Sequence, residues 1–148
     1  MKLFPFMSMI AVVSCSGVQT GPPSIIETSA ARTGLAERIG FIEQYVKFRR
    51  KYEKLDYAVV YQNNGGGLVP GPSGWDIRLV AVVPASELDS WIPADARKTN
   101  GPALEWVQDL PGMIERRKIT EWYRKSGIEV GLDRTQSVVV YRNASTPD

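Results

Sequence analysis

Four carboxylates are the residues of this sequence whose type and placement could support catalysis. A pair of Asp or Glu side chains at a suitable separation is sufficient for glycoside hydrolysis. Asp56 and Asp76 stand at or near predicted strand starts, and Glu105 and Asp109 lie one turn apart in a predicted short helix. Spacing along the chain does not establish such a pair, and Asp56 also fits an ordinary helix-to-strand junction. We therefore assign no catalytic residue.

Composition restricts the remaining chemistry. The chain contains no histidine and one cysteine, Cys15. Ser-His-Asp and Cys-His catalysis both need an imidazole, and typical zinc and haem sites use His or Cys ligands. We predict no metal site and no cofactor, and the residues favour a binding protein over an enzyme.

The N-terminal segment has the three parts of an export signal: a cationic tip at Lys2, an apolar stretch over residues 3–13, and small residues at the processing point. The stretch is too short for a membrane-spanning helix, which needs about 20 residues. At its end, Val12-Val13-Ser14-Cys15 resembles the lipobox of bacterial lipoproteins, in which an aliphatic, a tolerant and a small position precede an obligatory cysteine. Ordinary secretory cleavage after Ser16 is the alternative.

The resemblance to bacterial lipoproteins implies that Cys15 carries lipid. In that family the thiol receives a diacylglyceryl group, the chain is cut before the cysteine, and the new amino terminus is acylated, commonly with palmitate. Because two acyl chains already give stable anchoring, a triacylated Cys15 would fix the protein to a membrane. The non-aspartate residue Ser16 implies the outer membrane, facing the periplasm. The folded domain would then contain no disulfide.

The predicted organisation is a signal peptide at 1–14, an acylated tether at 15–33 and a single domain at 34–148. The tether is inferred from its glycines, prolines and small polar residues. Removal of the signal peptide takes away one lysine and no acidic residue, which leaves a formal charge of +1. This near-neutral balance does not indicate nucleic-acid binding.

Apolar spacing predicts one long helix over residues 35–54, with Thr33 as its N-cap. In the middle of the chain, prolines punctuate short helices, the last at 112–125, where a strand over 119–123 is the alternative. Strands are predicted from alternation and β-branched content at 57–61, 75–83, 128–132 and 137–142. The fold class expected is α+β, with the N-terminal helix packed on a mainly antiparallel sheet of about four strands and short helices between the two strand pairs.

A glycine-rich connection is the candidate binding loop. Residues 62–74 form a longer connection than the two to five residues of a typical hairpin. Its glycines lead to Leu68-Val69-Pro70 and not to Lys and Ser or Thr at a helix start, so no nucleotide site is predicted. Loops held by a sheet commonly carry recognition. The residues assigned to this loop are Asn63, Asn64, Gly65, Gly66 and Gly67.

The tryptophans Trp75, Trp91, Trp106 and Trp122 could form a stacking shelf for sugar, although neighbouring aliphatic residues favour the core. Trp91, which precedes Ile92-Pro93, is predicted to be the most exposed, and we add Trp75 and Trp91 to the candidate binding loop.

The sequence thus predicts a lipid-anchored envelope protein that acts as a binding or interaction module, such as an accessory subunit, an inhibitor or an immunity-type partner. The expected partners are the membrane, through Cys15, and a protein of the envelope, with no nucleic acid and no nucleotide. The alternative function is a small carboxylate-dependent hydrolase acting on cell-wall glycan or peptide.

Overall fold

A computed structural model describes residues 23–46, 48, 50–64, 73–101, 105–116 and 118–145 of the chain. Within these ranges seven strands form one antiparallel sheet. The strands are β1 (Ile25–Thr28), β2 (Lys54–Gln62), β3 (Gly74–Val82), β4 (Arg97–Thr99), β5 (Glu121–Lys125), β6 (Ile128–Asp133) and β7 (Val138–Ala144). The helices are α1 (Leu35–Ile42) and α2 (Glu105–Gln108), with 3-10 turns at Ser29–Ala31 and Ala85–Trp91.

The strand order is β1-β2-β3-β7-β6-β5-β4. Successive strands pair as antiparallel neighbours except at one place, where β7 lies between β3 and β6. The last strand of the described chain therefore joins two halves of the sheet, one built from β1 to β3 and the other from β4 to β6.

The expected fold class is wrong in the number of strands and in the share of helix. The sheet has seven strands where about four were expected, and its helices are short. The predicted strands at 57–61, 75–83, 128–132 and 137–142 are confirmed within β2, β3, β6 and β7. The additional strands β1 and β4 lie at the edges of the sheet and have only four and three residues, too few for alternation to give a signal.

The long helix predicted over 35–54 ends at Ile42. The following residues turn back on α1 through backbone hydrogen bonds such as Val46 N–H to Ile42 O at 2.9 Å. Tyr45, Val46 and Tyr52 keep the inward orientation that their spacing suggested, and the latter two are buried. In the described part of this segment, packing of these side chains against the sheet prevails over their helical spacing.

Residues 112–125 do not form the predicted helix. The alternative of a strand is confirmed in part, because β5 spans Glu121–Lys125 and pairs with both β4 and β6. Trp122 on β5 lies opposite Gly131 on β6, and a Cβ added to Gly131 would lie 2.9 Å from the Trp122 ring. The missing side chain at Gly131 leaves room for this indole.

The sheet has an apolar core on each face. On the first face, α1 and the 3-10 turn Ala85–Trp91 cover side chains such as Tyr57, Leu79 and Tyr141. On the second face, the segment 106–114 covers a smaller cluster around Val80, Val138 and Val140. Among the described residues this cluster reaches Ala58, Val80 and Val82, whereas Val60 and Arg78 on the same face lie outside it.

Three of the four tryptophans are core residues, as the sequence favoured. Trp91, Trp106 and Trp122 are 3%, 7% and 4% exposed. The predicted exposure of Trp91 is therefore wrong: its ring packs edge-on against Phe48, Tyr52 and Tyr141. Pro93 lies just after this turn, and its presence does not expose Trp91.

Candidate functional site

The carboxylate of Asp56 is the centre of the best-defined polar cluster. Asp56 lies near the start of β2, is 4% exposed, and accepts hydrogen bonds from three separate segments. Its Oδ1 accepts from Ser29 Oγ at 3.3 Å and from Arg38 Nη1 at 2.7 Å. Its Oδ2 accepts from the backbone N–H of Met113 at 3.1 Å. One buried side chain thus fixes the turn after β1, helix α1 and the segment after α2.

Arg38 is held in place by more than this ion pair. It projects from α1 and its Nε donates to Arg32 O at 3.0 Å, while Nη1 also donates to Leu55 O at 2.9 Å. Guanidinium donors have fixed directions, so these contacts determine the orientation of the whole group. The Arg38 side chain remains 25% exposed. One part of it therefore supports Asp56 while another faces the neighbouring cleft.

Gly112 allows the loop to approach Asp56. Its φ is +122°, in a region that favours glycine, and a Cβ at this position would lie 2.0 Å from Asp56 Oδ2. Any other residue would have to displace the buried carboxylate or the backbone. The absence of a side chain at Gly112 brings the next N–H, that of Met113, within hydrogen-bonding distance of Asp56.

A cleft of about 450 Å³ lies beside this cluster, between the 29–38 segment and the 111–114 loop. Met113, on its rim, is 98% exposed although its own backbone is fixed by Asp56. Leu35, on the α1 side, is 36% exposed. The cleft therefore has apolar walls with polar groups at its margin; its lining includes Thr33, Leu35, Lys54, Pro111, Met113 and Ile114.

The structure does not bring the candidate carboxylates Asp56 and Asp76 together. Asp56 pairs in register with Val80, four residues along β3 from Asp76. At about 3.4 Å per residue the two carboxylates are separated by roughly 14 Å along the strands, whereas glycosidase pairs lie within about 10 Å. Asp109 is exposed, and the side chain of Glu105 lies outside the described part of the structure. The hydrolase alternative gains no support from this placement.

The candidate binding loop is described only at its margins. Asn63 is buried, and its backbone N–H donates to Ser24 Oγ at 2.8 Å, while Asn64 is partly buried. Trp75 is partly buried on the opposite strand, and its Nε1 donates to Asn143 Oδ1 at 3.0 Å. Gly65, Gly66 and Gly67 lie outside the described residues, as does Cys15. Trp91 belongs to the core and not to a surface at this loop.

Ser29, Arg38, Gly112 and Met113 were not identified from the sequence. They are distant along the chain and meet only because β2 pairs with β1 on one side while residues 111–114 pack beside Asp56. The dipeptide Pro111-Gly112 is typical of turns, whereas a helix is predicted to begin at residue 112. Asp56 was singled out, although for catalysis.

The described ranges contain no group of three or more His, Cys, Asp or Glu residues arranged to hold a metal ion. No helix in them has the length and apolar content required to cross a bilayer.

Comparison with protein families, with curated proteins and with solved structures gives no match for this chain. Its function has to be inferred from its own residues.

Proposed function

We propose that the protein is a lipid-anchored protein of the bacterial cell envelope that binds a protein partner through the cleft beside Asp56. The anchor is proposed from the lipobox-like Val12-Val13-Ser14-Cys15. The binding role is proposed from Met113, whose side chain is almost fully exposed while a buried carboxylate fixes its backbone.

An exposed methionine side chain on a fixed backbone suits protein recognition. Methionine is unbranched and polarisable, so it adapts to apolar partners and is common at binding surfaces. Free side chains usually lose conformational entropy on binding, and a backbone that is already fixed reduces the ordering cost. The hydrogen bond from Met113 N–H to Asp56 provides this fixed backbone. The partner would bury Met113 and gain apolar contact area.

The cleft fits an apolar side chain from the partner. Leu35, Pro111 and Ile114 supply walls that such a group would contact. Glu53 and Lys54, both exposed, lie at the margin and provide a polar rim of both charges. An apolar centre surrounded by polar residues is the usual arrangement of a specific protein interface.

A photoreactive methionine tests this proposal with little ambiguity. The chain has four methionines, and three of them, Met1, Met7 and Met9, precede Cys15. If the signal peptide is removed, Met113 is the only methionine left, so a photoreactive methionine analogue labels this position alone. Illumination of cells should give one discrete adduct, and purified adduct should identify a protein of the envelope.

A double variant provides the matched control. Met113→Leu combined with Lys118→Met moves the photoreactive group to an exposed position five residues away. We expect the discrete adduct to be lost in this variant. We expect the same in Gly112→Ala, because the added Cβ would displace the Asp56 carboxylate that holds the Met113 backbone. Equal adducts from positions 113 and 118 would show non-specific proximity and contradict the proposal. Mass spectrometry of the mature protein tests the anchor separately, since it should begin with an acylated Cys15.

A further inference from the structure

A row of arginines crosses the second face of the sheet; Arg142 within it is buried, Arg78 is partly exposed, and Arg97 and Arg124 are exposed. The strand register aligns Arg78 on β3 with Arg142 on β7, and Arg142 with Glu129 on β6. It continues from Glu129 to Arg124 on β5 and from there to Arg97 on β4. Directly opposed residues point to the same face, so the arginine row, Arg78, Arg142, Arg124 and Arg97, lies on one side of the sheet.

Two carboxylates neutralise this row only in part. Asp76 accepts from Arg78 Nε at 3.0 Å and from Arg142 Nε at 3.1 Å. Glu129 accepts a hydrogen bond from Arg124. Among the described residues of the row, four guanidiniums face two carboxylates, Asp76 and Glu129. Arg78 and Arg124 have side chains that are 30% and 59% exposed, so an anionic ligand could reach them.

An exposed apolar pair lies beside the row. Ile26 on β1 and Val60 on β2 are directly opposite each other, and they are 82% and 46% exposed. Val60 is opposite Asp76, two residues from the pairing of Ala58 with Arg78. The apolar pair and the first arginine are therefore separated by only about 7 Å along the strands. Apolar residues next to cations are typical of surfaces that contact a lipid interface.

The chain enters the sheet at this same end. Ile25 opens β1 opposite Tyr61, near the end of β2. Cys15 precedes Ile25 by ten residues, which span at most about 35 Å even when fully extended. A lipid on Cys15 would hold this end of the sheet close to the bilayer. The cleft beside Asp56 lies toward the other end of β2.

We propose that the apolar pair and the arginine row form a surface that lies against the phospholipid headgroups of the membrane. This inference rests on the acylation of Cys15 in the proposed function. Guanidinium groups bind lipid phosphates through charge-assisted hydrogen bonds, while Ile26 and Val60 enter the interfacial region. Weak contacts are sufficient because the tether keeps the lipid surface at high effective concentration. The domain then stands in one orientation, with Met113 accessible to its partner.

The experiment uses the full acylated protein in vesicles of phosphatidylcholine and phosphatidylglycerol. Since acylation consumes the only cysteine thiol, a new cysteine can carry a nitroxide label without competition. Labels are placed at Val60→Cys and, as the reference position, at Met113→Cys. We expect the label at position 60 to be relaxed by oxygen, which concentrates in lipid, and shielded from a water-soluble nickel chelate. The label at position 113 should show the reverse.

Charge neutralisation provides the second arm. Arg78→Gln, introduced beside the label at position 60, should reduce the ratio of membrane-facing to water-facing orientations about fivefold, the contribution of one basic residue near an anionic surface. The fold should persist because Arg142 still pairs with Asp76. Lys118→Gln removes the same charge from an exposed position that follows the segment 106–114. It should leave the ratio of the two orientations unchanged. Vesicles of phosphatidylcholine alone should weaken the shielding.

Equal nickel accessibility at positions 60 and 113 would overturn the orientation while leaving acylation and partner binding intact. Equal effects of Arg78→Gln and Lys118→Gln would overturn the role of the arginine row. An unmodified Cys15 in the mature protein would instead remove the anchor itself, and this inference would fall together with that part of the proposed function.

Discussion

The Asp56 carboxylate occupies the position that a side chain at Gly112 would need: the Cβ of residue 112 would lie 2.0 Å from Asp56 Oδ2. The buried acid and the glycine are 56 residues apart in sequence. The carboxylate at position 56 leaves no room for a side chain at position 112. This relationship fixes the loop that displays Met113.

Gly112→Ala should destabilise the fold and disturb the cleft. We expect the free energy of unfolding to fall by about 2–4 kcal/mol, because a strained positive φ and the displacement of a buried carboxylate act together. Urea unfolding followed by tryptophan fluorescence measures the change. Gly40→Ala is the matched control, since a Cβ there meets nothing within 4 Å on helix α1, and it should stabilise the protein by up to about 1 kcal/mol. An equal loss of unfolding free energy in both variants would contradict the proposed role of the close contact between Gly112 and Asp56.

Asp56→Asn should weaken the link between β2, α1 and the 111–114 loop. The amide keeps the shape of the side chain but leaves Arg38 without its charged partner, which we expect to cost about 1–3 kcal/mol. A double-mutant cycle with Arg38→Gln should give a coupling energy of at least about 0.5 kcal/mol. Strictly additive effects would show that the 2.7 Å contact does not contribute to stability.

The stability that Asp76 contributes should depend on acid pH. Burial tends to raise the pKa of this carboxyl, but hydrogen bonds from Arg78 and Arg142 outweigh it and hold the pKa below its ordinary value. A pKa lower in the folded than in the unfolded chain stabilises the protein above the unfolded value, about 3.9, and this stabilisation is lost as pH falls through the folded pKa. Asp76→Asn should therefore be less stable than the wild type at neutral pH, with the difference shrinking below about pH 4. A constant difference from neutral to acid pH would show that the carboxylate charge is not responsible.

Several tyrosines, Tyr57 and Tyr141 among them, should titrate above the ordinary range of a tyrosine. Burial, aided by a hydrogen bond to Glu27, raises the pKa of Tyr57 to about 12, and burial raises the pKa of Tyr141 to about 12. A pKa raised in the folded state favours folding below the unfolded value, about 10, and that contribution disappears as pH rises through the folded value. Phenolate absorbance should show a late titration step that coincides with alkaline unfolding, and Tyr57→Phe should reduce its amplitude. Complete titration of every tyrosine near pH 10 in the folded protein would contradict this.

Local patterns predicted four of the five inner strands but not β5 or the extent of the sheet. Residues of β2, β3, β6 and β7 alternate or are β-branched because one or both of their faces are buried, and this leaves a readable signal. Arg97–Thr99 forms β4 at an edge, where exposed side chains need no apolar alternation. Ile25–Thr28 is similarly short and lies in sequence that suggested a tether.

Burial was easier to predict than backbone conformation. The spacing of Tyr45, Val46 and Tyr52 correctly indicated that they face the core, but helical periodicity also fits a chain that turns repeatedly over a sheet. Tertiary packing decided between the two, as it commonly does for aromatic segments. The site could not be predicted because the contacts of Ser29, Arg38 and Met113 with Asp56 require the complete fold.

The position of β7 between β3 and β6 affects when the sheet can form during synthesis. The two halves of the sheet share no direct strand pairing until residues 138–144 insert between β3 and β6. A nascent chain can form hairpins, but the sheet cannot be completed before residues 138–144 have emerged. Acquisition of the native sheet should therefore follow synthesis of β7, and a chain that stops before Val138 should hold two groups of strands with no pairing between them, exposed to proteolysis.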